Sequence, residues 1–246
     1  MSDIDIREVV ISYDHGQSRQ KIIDGVSMEI KKGEFVCIVG QSGCGKTTLL
    51  NVIAGLLKPE SGQILYRGRP SPDSVRIGYV FQFPRLLPWR TVQENIQFVL
   101  KETDAGVKDK IAHVLEMVGL GGYEKYYPHQ ISGGMQARVS IARALVIDPD
   151  ILLMDEPFSH LDQITAKKLR EDVVKLWAKT KMTVIFVTHD LHEAVYLADR
   201  VYVLGGRPAT IRHVENIDIM RPREYDGDEV FKVYKKLANI IYSIQS

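Results

Sequence analysis

Five apolar residues, Phe35-Val-Cys-Ile-Val39, run directly into Gly40-Gln41-Ser42-Gly43-Cys44-Gly45-Lys46-Thr47, and a helical pattern follows from Lys46 to Leu56. This junction constrains the fold more than any other stretch of the chain. A short, wholly apolar strand needs cover on both faces, which a parallel sheet between helical layers provides. The glycines let the backbone curl so that successive N–H groups point inward, and the helix start adds partial positive charge. Gly40-x-x-x-x-Gly45-Lys46-Thr47 between a strand and a helix is the pattern of a phosphate-binding loop. Lys46 would reach the β- and γ-phosphates of a nucleotide, and the Thr47 hydroxyl would coordinate Mg²⁺.

A second apolar strand, Ile151-Leu-Leu-Met154, ends in Asp155-Glu156. It is expected to carry Asp155 to the sheet edge beside the phosphate loop, where the carboxylate can hold Mg²⁺. Glu156 is then placed to polarise an attacking water. On its own, a strand ending in two acids is equally a solvated strand end. The upstream loop favours the chemical reading.

The rest of the pattern supplies the architecture. Alternation in Ile4 to Tyr13 and in Ile22 to Ile30 predicts N-terminal strands. Further strands are expected at Gln63–Tyr66, Ile77–Phe81, Thr183–Val187 and near Val201 and Ile211. Helical patterns run from Thr91 to about Gly119, opened by the capping box Thr91-Val-Gln-Glu94, with a second helix at Val107–Val118. Others run from near Ser132 to Ile147, Thr165 to Lys179 and Leu191 to Ala198. The apolar positions Val230, Tyr234, Leu237, Ile241 and Ile244 predict a C-terminal helix at about 226–244 that packs on its own domain. The expectation is one α/β domain over 1–246: a P-loop core with a mainly parallel sheet, an N-terminal antiparallel β portion and an inserted helical lobe at about 85–148.

Charge narrows the partners. With 32 basic and 31 acidic residues the net charge is +1, against the basic excess usual for nucleic-acid binding, so no nucleic-acid partner is expected. No apolar run approaches the roughly 18–20 residues of a membrane-spanning helix. Met1 to Ile6 lacks the pattern of a signal peptide, and two cysteines, Cys37 and Cys44, make no disulfide framework. A cytoplasmic location is expected, with any membrane role coming through a partner.

Five further places, in order, carry a family resemblance: Tyr13, Gln82, Ser132-Gly133-Gly134, Ser159-His160-Leu161-Asp162 and Thr188-His189-Asp190. With the two motifs above, the chain resembles the ATPase subunit of an ABC transporter over nearly its whole length. The resemblance implies ATP and Mg²⁺. It implies that Tyr13 stacks on adenine, and that Gly40 to Thr48 (Gln41, Ser42, Gly43, Cys44, Gly45, Lys46, Thr47 and Thr48) cradle the phosphates. Gln82 touches metal and water beside Thr47 and Asp155, and His189 senses the γ-phosphate. Ser132, Gly133 and Gly134 begin a helix, and so form an anion site. In the family this site closes on the nucleotide of a second subunit, with Asp162 along the same interface, which implies a homodimer. Taken singly, Tyr13 reads more readily as packing and His189 as a core histidine, and Gln82 could be a surface residue.

Ile131, Met135 and His160 stand where leucine, glutamine and alanine are commoner in the family. Within Arg85-Leu86-Leu87-Pro88-Trp89, the Leu-Leu-Pro-Trp run would form an exposed apolar stretch, which marks an interface unless it closes the lobe's own core. In the family, the region Gln82–Trp89 receives integral membrane permease subunits. The wording resembles the nitrate, sulfonate and taurine importer branch. That implies a small anionic solute, an extracytoplasmic solute-binding protein and a peripheral place on the inner face of the cell membrane. A lipid-extraction or cell-division ATPase, or a soluble non-transport ABC ATPase, is the alternative.

Overall fold

The computed structural model describes residues 2–16, 18–101 and 106–245. The chain divides into two compact units, one made of Met1–Val75 with Thr183–Ser246 and the other of Arg76–Met182. Among the described residues no helix is long and apolar enough to cross a membrane.

In the first unit, β1 (Ser2–His15) and β2 (Ser18–Lys31) form an antiparallel pair. Alternation buries Ile4, Ile6, Val9 and Ile11 of β1 against Met28 and Ile30 of β2, with register shifts where the chain bulges after Ile6. The predicted strands β3 (Phe35–Val39) and β4 (Ser61–Tyr66) form, and β4 completes this sheet in the order β2-β1-β4. Asp3 is buried because Thr183 and Arg67 both donate to its carboxylate, at 2.5 and 2.9 Å.

Helix α1 (Lys46–Ile53) leaves β3 through the glycine loop and ends a turn earlier than the pattern suggests. β3 is fully buried, as its unbroken apolar run requires.

The second unit opens with β5 (Ile77–Val80) and three helices, α2 (Val92–Gln97), α3 (Val107–Met117) and α4 (Gly133–Leu145). Residues 102–105, inside the helical stretch expected from Thr91 to Gly119, lie outside the described residues. β6 (Ile151–Asp155) pairs in parallel with β5, Val80 opposite Met154, and α5 (Gln163–Thr180) follows. The Thr91–Glu94 capping box forms: Glu94 N donates to Thr91 Oγ1, and Thr91 N to the Glu94 carboxylate. α4 packs against α2, α3, α5 and β5. Arg138 on α4 ties these together, pairing with Asp172 of α5 at 2.6 Å and donating to Val118 O beyond α3.

Back in the first unit, β7 (Thr183–Thr188) and β8 (Arg200–Gly205) flank β3 in parallel, and α6 (Leu191–Leu197) joins them. β9 (Thr210–Asn216) closes the order β7-β3-β8-β9 as an antiparallel edge, a direction the alternating pattern did not disclose. The C-terminal helix α7 (Asp228–Gln245) buries Val230 and Leu237 and half-buries Tyr234 and Ile241, while the side chain of Ile244 lies outside the described ones. Buried Arg223 donates to the carbonyls of Val195, Tyr196 and Ala198, capping the end of α6. Its burial, with Arg221 nearby, lowers the guanidinium to about 10.

Candidate nucleotide site

The loop between β3 and α1 is built from its neighbours inward. A Cβ on Gly40 would lie 2.4 Å from Leu204 O of β8, so only glycine lets the strand end pass this close. Gly45 takes φ +105° as the residue before α1. Cys44 is buried, its Sγ pointing at Leu204 O, whereas Gln41, Ser42 and Gly43 are exposed. Lys46 is only 4% exposed, and its Nζ donates to Gly40 O at 2.9 Å and Gln41 O at 3.1 Å. Thr47 stands exposed beside it. Tyr13, near the end of β1, reaches across to α1, its hydroxyl 3.5 Å from Thr48 Oγ1.

His189 follows β7, and the backbone on either side of it is pinned. Asp190 N donates to Thr188 Oγ1, Thr188 donates to Glu193 at 2.6 Å, and Asp190 caps α6 by accepting from His192 N and Glu193 N. His189 shares a cavity of about 490 Å³ with Gly40, Gln41, Ser42, Arg207 and Arg212. The two arginines make this wall cationic, suited to an anionic ligand. They were not singled out in the sequence, because nothing in Gly206-Arg207-Pro208 or Ile211-Arg212 marks them locally.

In the second unit, β6 is buried along its length and delivers Asp155, itself buried, to its C-terminal end. Glu156 then turns into the left-handed region at φ +42°, a conformation costing a non-glycine residue about 1 kcal/mol or more. Ser159 Oγ donates to Glu156 O at 2.9 Å and lies 3.5 Å from Gln82 Nε2. Gln82 is thereby brought to the segment that carries Glu156. Burial, with Asp155 nearby, raises the Tyr79 phenol well above its ordinary range and keeps it protonated.

Ser132 is the N-cap of α4, its Oγ accepting from Met135 N, with Ser132 and Gly133 exposed. Gly134 is buried because a Cβ there would lie 2.4 Å from Thr165 Cγ2 of α5. Asp162 caps α5 by accepting from Thr165 N at 3.0 Å, which holds its carboxyl below the usual range. The starts of α4 and α5 are therefore packed together, placing Ser132, Gly133, Gly134 and Asp162 on adjoining loops.

The 86–89 stretch is exposed only at Pro88 and Trp89, the latter by 71%, while Leu86 and Leu87 are half-buried. The expected exposed stretch is corrected in part: Pro88 and Trp89 face out, while the two leucines turn toward the lobe. Asn95 of α2, wholly buried, accepts from Leu87 N and donates to the carbonyls of Leu87, Arg90 and Thr91, drawing the loop inward.

Residues 23–159 match the family model described as ABC transporter. The aliphatic sulfonates import ATP-binding protein SsuB of Bacillus cereus is 41% identical over 235 residues, 95% of this chain and 94% of that protein. The nitrate import ATP-binding protein NrtD of Synechococcus elongatus is 42% identical over 215 residues, 83% of this chain and 77% of that protein. A dimeric ATP-binding cassette solved in a post-hydrolysis state with ADP and Pi superposes with a TM-score of 0.77 at 32% identity, covering 88% of this chain and 100% of that one. The chain belongs to the ABC transporter family, as an ATP-binding and ATP-hydrolysing cassette.

Proposed function

We propose that this cassette powers an importer for a small anionic solute of the nitrate, sulfonate or taurine class, acting through partner membrane subunits. The observation that carries the reading is the identity to SsuB, which extends over 95% of the chain and so beyond the segment common to the family.

In this reading residues 1–246 act as one ATPase domain, with a helical lobe at about 85–148 and the C-terminal helix packed on the core. Tyr13 stacks on adenine. The N–H groups of Gly40 to Gly45, with Lys46 and Thr48, hold the phosphates. The Thr47 hydroxyl, Gln82 and Asp155 supply hard oxygen donors, the set that suits Mg²⁺. When bound, that ion neutralises phosphate charge. Glu156 polarises the attacking water, and His189 donates to the γ-phosphate. Ser132, Gly133 and Gly134, with Asp162, face the nucleotide of a second copy, so the working unit is a homodimer. The Gln82–Trp89 segment receives the permease on the inner face of the membrane, and a solute-binding protein delivers the cargo from outside.

The test combines enzymology with uptake. Glu156→Gln should lower turnover by on the order of 10²–10⁴-fold while ATP still binds and the dimer is favoured. Disrupting the gene in its host should abolish uptake of radiolabelled nitrate or of an alkanesulfonate. Wild-type turnover in the variant sinks the base assignment, and unchanged uptake of both anions sinks the cargo.

A further inference from the structure

Two strand ends lie side by side in the second unit. The register Val80 opposite Met154 means that the chain leaving β5 and the chain leaving β6 emerge together. The first continues into Gln82 and Phe83, the second into Glu156, Ser159 and His160. Gln82 Nε2 reaches Ser159 Oγ at 3.5 Å, at the outer limit of a hydrogen bond and too long to fix an amide.

The firmer link is aromatic. The rings of Phe83 and His160 stack at 4.2 Å between centroids with 18° between planes. Both residues are exposed, Phe83 by 57%, so neither ring sits in a core and their stack is a contact that can set both planes. Beyond Phe83 the loop is fastened elsewhere: Arg143 of α4 donates to Pro84 O at 2.7 Å and Arg85 O at 3.0 Å. Beyond His160 the link runs through Ser159 Oγ to the carbonyl of Glu156, the residue held at positive φ.

We infer that His160 is a positioning residue: its stack on Phe83 holds the Gln82 loop in register with Glu156, so that displacement of that loop reaches the water-activating carboxylate. The inference rests on the proposed roles of Gln82 and Glu156. Its chemistry requires a flat ring at position 160, since an alkyl side chain of similar bulk fixes distance without fixing the plane.

The experiment uses the full chain and measures kcat and KM for ATP in His160→Ala, His160→Phe, Phe83→Ala and the double alanine variant. His160→Ala should lower kcat by about tenfold with little change in KM, the signature of misplaced groups and not of lost binding. His160→Phe, which keeps a ring, should recover most of that rate. The double variant should be no slower than the slower single one, because both remove the same contact. The inference is overturned if His160→Phe is as slow as His160→Ala, if the two single losses multiply, or if KM rises while kcat holds. Should His160→Ala melt early, Phe83→Leu keeps the bulk and loses the ring, and its kcat is read against the same criteria. Glu156→Gln, assayed alongside, separates the two readings. Wild-type turnover there removes the role of Glu156, whereas an inactive Glu156→Gln beside a fully active His160→Ala removes the stack alone.

Discussion

The side chain of Asn95 and the backbone of Leu87 exchange two hydrogen bonds, Leu87 N donating to Oδ1 at 2.7 Å and Nδ2 donating to Leu87 O at 3.1 Å. The loop that ends in exposed Trp89 thus hangs on a buried amide of the following helix. Asn95→Leu would strip partners from buried backbone groups and should cost about 2–3 kcal/mol. For a chain of this size the melting temperature should fall by roughly 5–10 °C. The emission of Trp89 should change with it, read in a Trp177→Phe background. An unaltered melt would show that water replaces the amide.

The close approach of α4 and α5 at Gly134 gives a paired test. Gly134→Ala places a methyl group where Thr165 Cγ2 stands, forcing the two helix starts apart. The destabilisation should be about 1–3 kcal/mol, with ATPase activity reduced. Thr165→Ser, which deletes that methyl and keeps the hydroxyl, should relieve a large part of the loss in the double variant. A double variant as unstable as Gly134→Ala would place the strain elsewhere.

Alkaline stability should report Tyr66. Its hydroxyl donates to Ile53 O at 2.7 Å, and burial pushes the phenol from 10.0 up to about 12. The folded state therefore holds its proton more tightly than the unfolded chain. This contribution is complete below pH 10 and is lost as pH rises from 10 to about 12. The urea midpoint should fall across that window. Tyr66→Phe should lose about 1 kcal/mol at neutral pH and show a shallower alkaline decline. An identical decline in the variant would assign it to other groups.

The proposed docking of a membrane partner is best probed at Trp89. Its side chain is mostly exposed, so Trp89→Ala should leave basal ATPase within about twofold while weakening co-purification with the permease. Leu87→Glu is a poorer probe, because Leu87 is half-buried and bonded to Asn95, and the charge would disturb the lobe itself. Equal loss of assembly and basal activity in Trp89→Ala would place the indole in the fold rather than at an interface.

Features written in short-range chemistry were the legible ones. The strand–glycine–helix junction, the Thr91–Glu94 box and the alternation in β1 each depend on neighbours a few residues away. Asn95 was not legible, since on a short helix it resembles any solvated polar residue, and its acceptors lie on a preceding loop. The pairing of Phe83 with His160 joins positions 77 residues apart and has no local signature. Arg207 and Arg212 reach the cavity by the fold of the β8–β9 hairpin, which periodicity cannot register. The half-burial of Leu86 and Leu87 escaped for the same reason: an apolar run shows that cover is needed, not what supplies it.

The contacts of Lys46 with Gly40 O and Gln41 O bear on how often the site can be used. A lysine side chain carries about 2 kcal/mol of rotamer freedom, and a flexible one would surrender it at every encounter with phosphate. Here the loop's own carbonyls orient the ammonium group, so that ordering is completed when the protein folds. In the proposed nucleotide complex the phosphates would meet a charge already aimed, and the entropic toll of aiming it would not recur with each turnover.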